Sequence, residues 1–265
     1  MLALGVAAGA GASLLIDDRD EAVTAGEDDG TARLQPRPGP VTIVLGGELR
    51  AGWALAEAIE DRSAGVVGAF AEVLGDAALS VVGLSAAVLD EPPEEVGGVA
   101  WVPGTALDGL VADGIDVVSV ASERALDLGP EGLSRTLAAA EGRDVAVLGL
   151  GADEDEAYAP VVRRVGGQSV AVIAATQRLA PERIATDTAG PGAPGVASAK
   201  RVDRLVAEVR AVSEVADVVV VYLHWGEDGE TCPTTGQQEL AVALVDAGSY
   251  ITGQTIAVDG GWTAR

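Results

Sequence analysis

The clearest pattern in the chain is the run Asp217-Val218-Val219-Val220-Val221-Tyr222-Leu223, in which branched and apolar residues follow a single polar one. Such a run fits a strand buried on both faces, because branched side chains pack well on a pleated surface and none of them needs water. Shorter runs of the same kind predict strands at 41–45, 79–84, 99–102, 116–120, 145–148, 161–165 and 170–174. Between them, apolar positions spaced by three and four residues predict helices at 51–59, 105–112, 129–140, 199–212 and 237–246. In the fourth of these, Val202, Leu205, Val206, Val209 and Val212 form one buried face. Strands alternating with amphipathic helices predict an α/β layered fold. Residues 185–194, rich in Gly and Pro, read as a surface connection.

The pattern changes at both ends. Residues 1–16 are small and apolar from Leu2 to Ile16, with no basic residue ahead of them, and fall short of the ~20 residues a membrane-spanning helix needs. They are expected to be the remnant of a signal peptide or anchor. Residues 17–40 are acidic and end in Gln35-Pro36-Arg37-Pro38-Gly39-Pro40, which reads as a stiff tether. The packed domain is expected to begin near Val41.

Composition narrows the chemistry. Apolar residues make up 48% of the 265, enough for a substantial core. Against 17 Lys+Arg stand 41 Asp+Glu, a formal charge of -24, which repels phosphate backbones and anionic membrane surfaces. Nucleic acid is therefore not an expected partner, and a membrane is expected only through the N-terminal segment. The chain has no Asn and a single Lys, Lys200, preceded by Ala199 and followed by Arg201, so it carries no P-loop. Cys232 stands alone, which excludes an intrachain disulfide and reads as a small half-buried thiol beside Pro233.

His224 is the single histidine and directly follows the strongest strand, in His224-Trp225-Gly226-Glu227. Any nucleophilic triad would have to use it, and sites built on two imidazoles are excluded. The end of a buried strand is also where open α/β sheets gather ligands.

Several stretches together resemble the CapA family, which is associated with poly-γ-glutamate capsule synthesis and related in fold to calcineurin-like metallophosphatases. They are Val117 to Ala121 with Ala125 to Leu133, then Ala171 to Gln177, then Tyr222 to Pro233, and finally Gln238 to Ala241 with Val245 to Gly248. The resemblance covers about 41–248 and implies an α/β sandwich of the metallophosphatase type, altered or truncated at its C-terminus. It implies a capsule or envelope function, a cell-envelope or extracellular location with a cytoplasmic one left open, and an anionic polymer or small molecule as partner. It also implies a divalent-metal site, but most of the ligand set is missing. Gly46-Gly47 stands where the family has Gly-Asp, Gly83-Leu84-Ser85 where it has Asn-Leu-Glu, and Ser122-Glu123-Arg124 where it has Asn-Asn-His. Only His224-Trp225-Gly226 is intact.

The expected candidates follow from this. His224 is the catalytic candidate, and His224, Glu123 and Glu48 are the metal candidates, with Glu227, Asp228 and Glu230 as further oxygen donors. Arg124, Trp225 and Glu227 are the substrate-binding candidates. Arg124 reads first as a structural partner of Glu123, Asp127 or another nearby acid and second as an anion-binding guanidinium, while His224 reads equally as a binding or proton-transfer group or a core-edge histidine. A two-metal site needs roughly five to seven donors, so the family's metallophosphatase-like chemistry is expected to be degenerate here.

Residues 249–265 resemble the C-terminus of short-chain dehydrogenases, with a strand expected at 250–259. A dehydrogenase is the alternative this raises. Gly5, Gly9 and Gly11 have a compatible spacing, but the Tyr-x-x-x-Lys pair is absent, because Val196 stands four residues before Lys200. A non-catalytic anion-binding or scaffold module is the other alternative.

Overall fold

Side-chain alternation along two strands sets the layers of the protein. The computed structural model describes residues 15–17, 40–52, 55, 59, 65–94, 98–226, 230 and 232–248. In chain order the elements are β1 (Leu15–Asp17), β2 (Ile43–Arg50), α1 (Ala71–Gly75), β3 (Leu79–Ser85), β4 (Ala87–Leu89), β5 (Trp101–Pro103), α2 (Thr105–Ala112), β6 (Val117–Ser119) and α3 (Gly129–Ala140). They continue with β7 (Ala146–Leu148), β8 (Leu150–Gly151), α4 (Glu154–Ala157), β9 (Val161–Val165), β10 (Gln168–Thr176), α5 (Ile184–Asp187), β11 (Gly195–Val196), α6 (Val202–Ser213), β12 (Val218–His224) and α7 (Thr235–Ala247).

Two four-stranded sheets carry the fold. The first, β2-β3-β6-β7, is parallel throughout. In the second, β1-β9-β10-β12, the β9–β10 pair is antiparallel and the other two pairs are parallel. Along β10, Val170, Val172 and Ala174 share a core with Val81 and Val117 of the first sheet. The intervening Ala171, Ile173 and Ala175 pack instead with Leu205 and Val209 of α6 and Leu240 and Leu244 of α7. The period of two thus turns one face of the second sheet to its partner sheet and the other to the helices. Leu107, Leu110 and Leu133 of α2 and α3 join the core of the first sheet. The order of layers is helix, sheet, sheet, helix, and the fold class is α/β.

The predicted elements at 161–165, 105–112 and 129–140 coincide with β9, α2 and α3. Strand β2 runs on to Arg50 through a register shift between Leu45 and Glu48, a bulge that the Gly46-Gly47 pair accommodates. The two- and three-residue strands β4, β8 and β11 were not legible, being too short for a period to show. Residues 185–194 are not simply a surface connection: Ala189 is fully buried and Thr188 bridges to Val196, so neighbouring backbone fixes the segment. Cys232 is exposed rather than half-buried.

Leu55 and Ile59 of the predicted 51–59 helix are helical and buried. Within the N-terminal segment and tether, Leu15–Asp17 pairs with Val161–Arg163 of β9. The rest of 1–39, and the 249–265 tail with its expected strand, lie outside the described residues. Among the described residues no helix is long and apolar enough to cross a membrane.

Candidate functional site

Side chains from the two sheets converge at one end, where β2, β6, β10 and β12 terminate. Two contacts bring β2 close to β12. The Tyr222 hydroxyl donates to the Gly46 carbonyl at 2.9 Å, crossing from one sheet to the other. A Cβ at Gly83 would lie 3.0 Å from that same hydroxyl, so glycine on β3 leaves room for the crossing.

Alternation along β12 then decides which side chains reach the site. Val218, Val220 and Tyr222 face the partner sheet, and His224 follows on the same side, while Val219, Val221 and Leu223 face the helices. Trp225 falls on the helix side, 7% exposed among α6 and α7 residues. This corrects its expected role in substrate binding: a strand sends adjacent side chains to opposite faces, and the indole is spent in the core.

His224 is held from both ring nitrogens. Its Nε2 lies 3.0 Å from Glu48 Oε1, and its Nδ1 lies 3.1 Å from Thr176 Oγ1 and 3.3 Å from Glu123 Oε2. The backbone of β12 is fixed at the same point, because Gln177 N donates to the His224 carbonyl at 2.9 Å. Glu48 is gripped a second time by Arg50 Nε at 2.8 Å. Burial pushes the Glu48 carboxyl up, but the hydrogen bond and charge of His224, joined by those of Arg50, outweigh it and hold the group below its ordinary value. Glu123 follows β6 in a turn where Arg124 N donates to Ser122 Oγ. Its Oε2 is buried with no hydrogen-bond partner, beside the imidazole.

Glu48, Glu123 and His224 each offer one ligand atom, all within 4.8 Å of one another. Two carboxylates and one imidazole fit the donor chemistry of a single divalent cation with water completing its shell. They do not fit two, because Gly47 and Gly83 carry no donor and Arg124 is a cation. Arg124 itself turns aside: its Nε lies 2.7 Å from Asp127 Oδ2, and its Nη2 donates to Gly98 O at 2.8 Å. That is the structural ion pair, although the residue still lines the adjoining cleft. Glu227 and Asp228 lie outside the described residues, and Glu230 is exposed.

Sequence reasoning missed Thr176, which positions the His224 ring, and the basic groups Arg178, Arg183 and Lys200 beside it. Thr176 ends β10 in register with His224, so the pairing of the two strands was the signal that could have found it. The basic residues come together only through loop packing.

Comparison with known proteins agrees with the motifs. The family described as "Bacterial capsule synthesis protein PGA_cap" matches residues 42–253. The "Capsule biosynthesis protein CapA" of Bacillus anthracis is 31% identical over 142 residues, 52% of this chain and 33% of that relative. The "PGA biosynthesis protein CapA" of Bacillus subtilis (strain 168) is 28% identical over 142 residues, 51% of this chain and 34% of its own length. A "Probable polyglutamine synthesis accessory protein" of Mycobacterium tuberculosis (strain ATCC 25618 / H37Rv) is 30% identical over 138 residues, 50% of this chain and 36% of that protein. The matched region therefore spans about a third of the length of these relatives. Among solved structures, a putative 5'-nucleotidase from Staphylococcus aureus in complex with alpha-ketoglutarate covers 84% of this chain and 40% of its own, at 16% identity and a TM-score of 0.36, too loose to carry an argument. The family match runs into the 249–265 segment as far as residue 253, and the dehydrogenase resemblance expected there gains no support from these comparisons. With 42–253 matched and the His224 motif standing at the end of β12, the chain belongs to the bacterial capsule synthesis protein PGA_cap family.

Proposed function

We propose that this chain serves the synthesis of a capsule or cell-envelope polymer of the poly-γ-glutamate kind, as a family member whose metal centre is reduced to one cation position. The observation that carries the reading is the convergence of Glu48, Glu123 and His224 within 4.8 Å, with no donor at 47, 83 or 124. A divalent cation there would supply Lewis-acid polarisation of a bound oxygen. The chain's own residues do the rest. Glu48, Glu123 and His224 would hold the ion, while the Thr176 hydroxyl at Nδ1 fixes the ring of His224. One cation position does not support two-cation chemistry, and we read the domain as working chiefly by binding.

The capsule names of the relatives support an envelope location. The test is metal analysis of the purified chain, followed by titration with Mn²⁺, Mg²⁺ and Zn²⁺ read as a rise in melting temperature. One equivalent or less is expected, with the shift lost in Glu48→Gln and His224→Gln. Two tightly held equivalents would overturn the reading.

A further inference from the structure

Beside the cation cluster lies a cleft of about 650 Å³, lined by Arg124, Arg178, Arg183 and Lys200 together with Glu123 and Asp127. Its volume falls inside the ~300–1,000 Å³ of ordinary ligand pockets. Basic groups outnumber acidic ones in its described lining, the reverse of the chain as a whole. Among the described residues four basic groups line it against two acidic ones, in a chain with a formal charge of -24. Solvation explains a widespread acidic surface, but it does not explain why the single lysine and three arginines gather in one concavity.

The basic groups are also placed with care. Asp127 takes Arg124 Nε at 2.7 Å on one carboxylate oxygen and Arg183 Nη1 at 3.3 Å on the other, so two guanidiniums share one acid. Arg183 is further fixed by Asp187 Oδ2 at 2.6 Å and by the Glu123 carbonyl at 3.2 Å. Arg178 Nη1 donates to Gly226 O at 3.1 Å. The loop bearing Lys200 is pinned to the end of β10, where Thr176 N donates to Ala197 O and Ala199 N donates to Thr176 O at 2.8 and 2.7 Å. Lys200 itself is exposed, and its ammonium forms no ion pair among the described residues. Thr234 and the buried Gln237 add the N-terminus of α7, closed by a capping box, whose backbone dipole also favours an anion. The same strand end thus fixes both Lys200 and, through the Thr176 hydroxyl, the His224 ring.

We infer that this cleft is a binding site for an extended ligand bearing several carboxylates, with Lys200 and Arg178 as the contacting cations and Asp127 as the residue that positions Arg124 and Arg183. Guanidinium forks match carboxylates in pairs, and separate cations spread along a cleft suit successive acid groups rather than one compact ion. The choice of carboxylate over phosphate rests on the capsule reading proposed above; the positive cleft does not. Occupancy of the cation cluster is not required.

The test uses the full chain in EDTA and a fluorescently labelled γ-linked pentaglutamate, followed by anisotropy at low salt and at high salt. Saturable binding that weakens at high salt is expected, reduced about tenfold in Lys200→Glu and in Arg178→Gln, with unchanged melting temperatures showing that both variants fold. Pentaglutamine, the neutral probe, is expected not to bind. Equal binding of pentaglutamine, or no loss in either variant, would overturn the site. Tighter competition by inorganic pyrophosphate than by unlabelled pentaglutamate would overturn the carboxylate assignment. Because these arms are metal-free, a failure of the one-cation reading leaves them standing, and the reverse also holds.

Discussion

The two ends of the paired sheets solve different problems. At the amino ends of the parallel strands the same device appears twice. Ser80 N donates to Asp116 Oδ2 at 2.8 Å and Asp116 N donates to Ser80 Oγ at 3.1 Å, where β3 and β6 begin side by side. Ser169 N donates to Asp217 Oδ2 at 2.8 Å and Asp217 N donates to Ser169 Oγ at 3.1 Å, where β10 and β12 begin. Each reciprocal pair ties the backbone N–H of one strand to a side chain of its neighbour where the two begin. At the carboxyl ends nothing repeats. The first sheet contributes Glu48 and Glu123, and the second contributes Thr176 and His224, so the groups complete one another across the interface. Repetition marks what holds each sheet together; asymmetry marks what faces a ligand.

The largest expected effect breaks the comparison at its amino end. Ser80 is fully buried, so Asp116→Ala leaves its N–H without an acceptor and should lower unfolding stability by about 2–3 kcal/mol in urea melts. Asp217→Ala removes the same contacts where water can replace them, and about 1 kcal/mol is expected. Equal losses would show that burial does not separate the two clamps. Between the ends, Tyr222→Phe should cost about 1 kcal/mol by deleting the hydrogen bond from one sheet to the Gly46 carbonyl of the other.

Substitution at the carboxyl end should reverse the profile. Glu48→Gln keeps the shape of the side chain and removes one of two carboxylates facing a single imidazole, so a stability change of roughly 0.5 kcal/mol or less is expected. The same change should weaken Mn²⁺ binding at least about tenfold, measured by titration calorimetry. A large stability loss with unaltered cation binding would make this end structural as well.

The sequence made the repeated part of the molecule legible more readily than the asymmetric part. Periodicity located β9, α2 and α3 to the residue, and β12 to within one position, because burial on a regular element imposes its own spacing. Glu48 and Glu123 were found only because each stands next to a position where the family resemblance expects a ligand. Trp225 enters the candidates through the intact motif, whereas alternation at the end of β12 turns its indole to the helices and away from His224. Arg178, Arg183 and Lys200 carry no local signal at all. Their meeting depends on the Thr176–Ser198 bridge and on Asp127, contacts that no spacing rule foreshadows.

The smallest effect is one of pH, and it separates the two ends by cause. The Ser169 backbone N–H, followed by its hydroxyl, holds the Asp217 carboxyl below its ordinary value against slight burial. A carboxyl with a folded pKa below its unfolded one adds its full stabilisation above the unfolded pKa, and that contribution is lost as pH falls through the folded value. The stability difference between wild type and Asp217→Asn should therefore be constant near neutral pH and shrink below the ordinary aspartate range, as read from urea melts at about pH 7, 5 and 3. Glu48 is also lowered, but there burial opposes strongly and His224 supplies the main compensation. Replacing His224 with Gln should accordingly blunt the part of the acid sensitivity that comes from Glu48 while leaving the Asp217 difference intact. Were the Asp217 difference to grow on acidification, the Ser169 clamp would be gripping the protonated acid, and the likeness between the two amino-end pairs would be one of shape without a shared electrostatic cause.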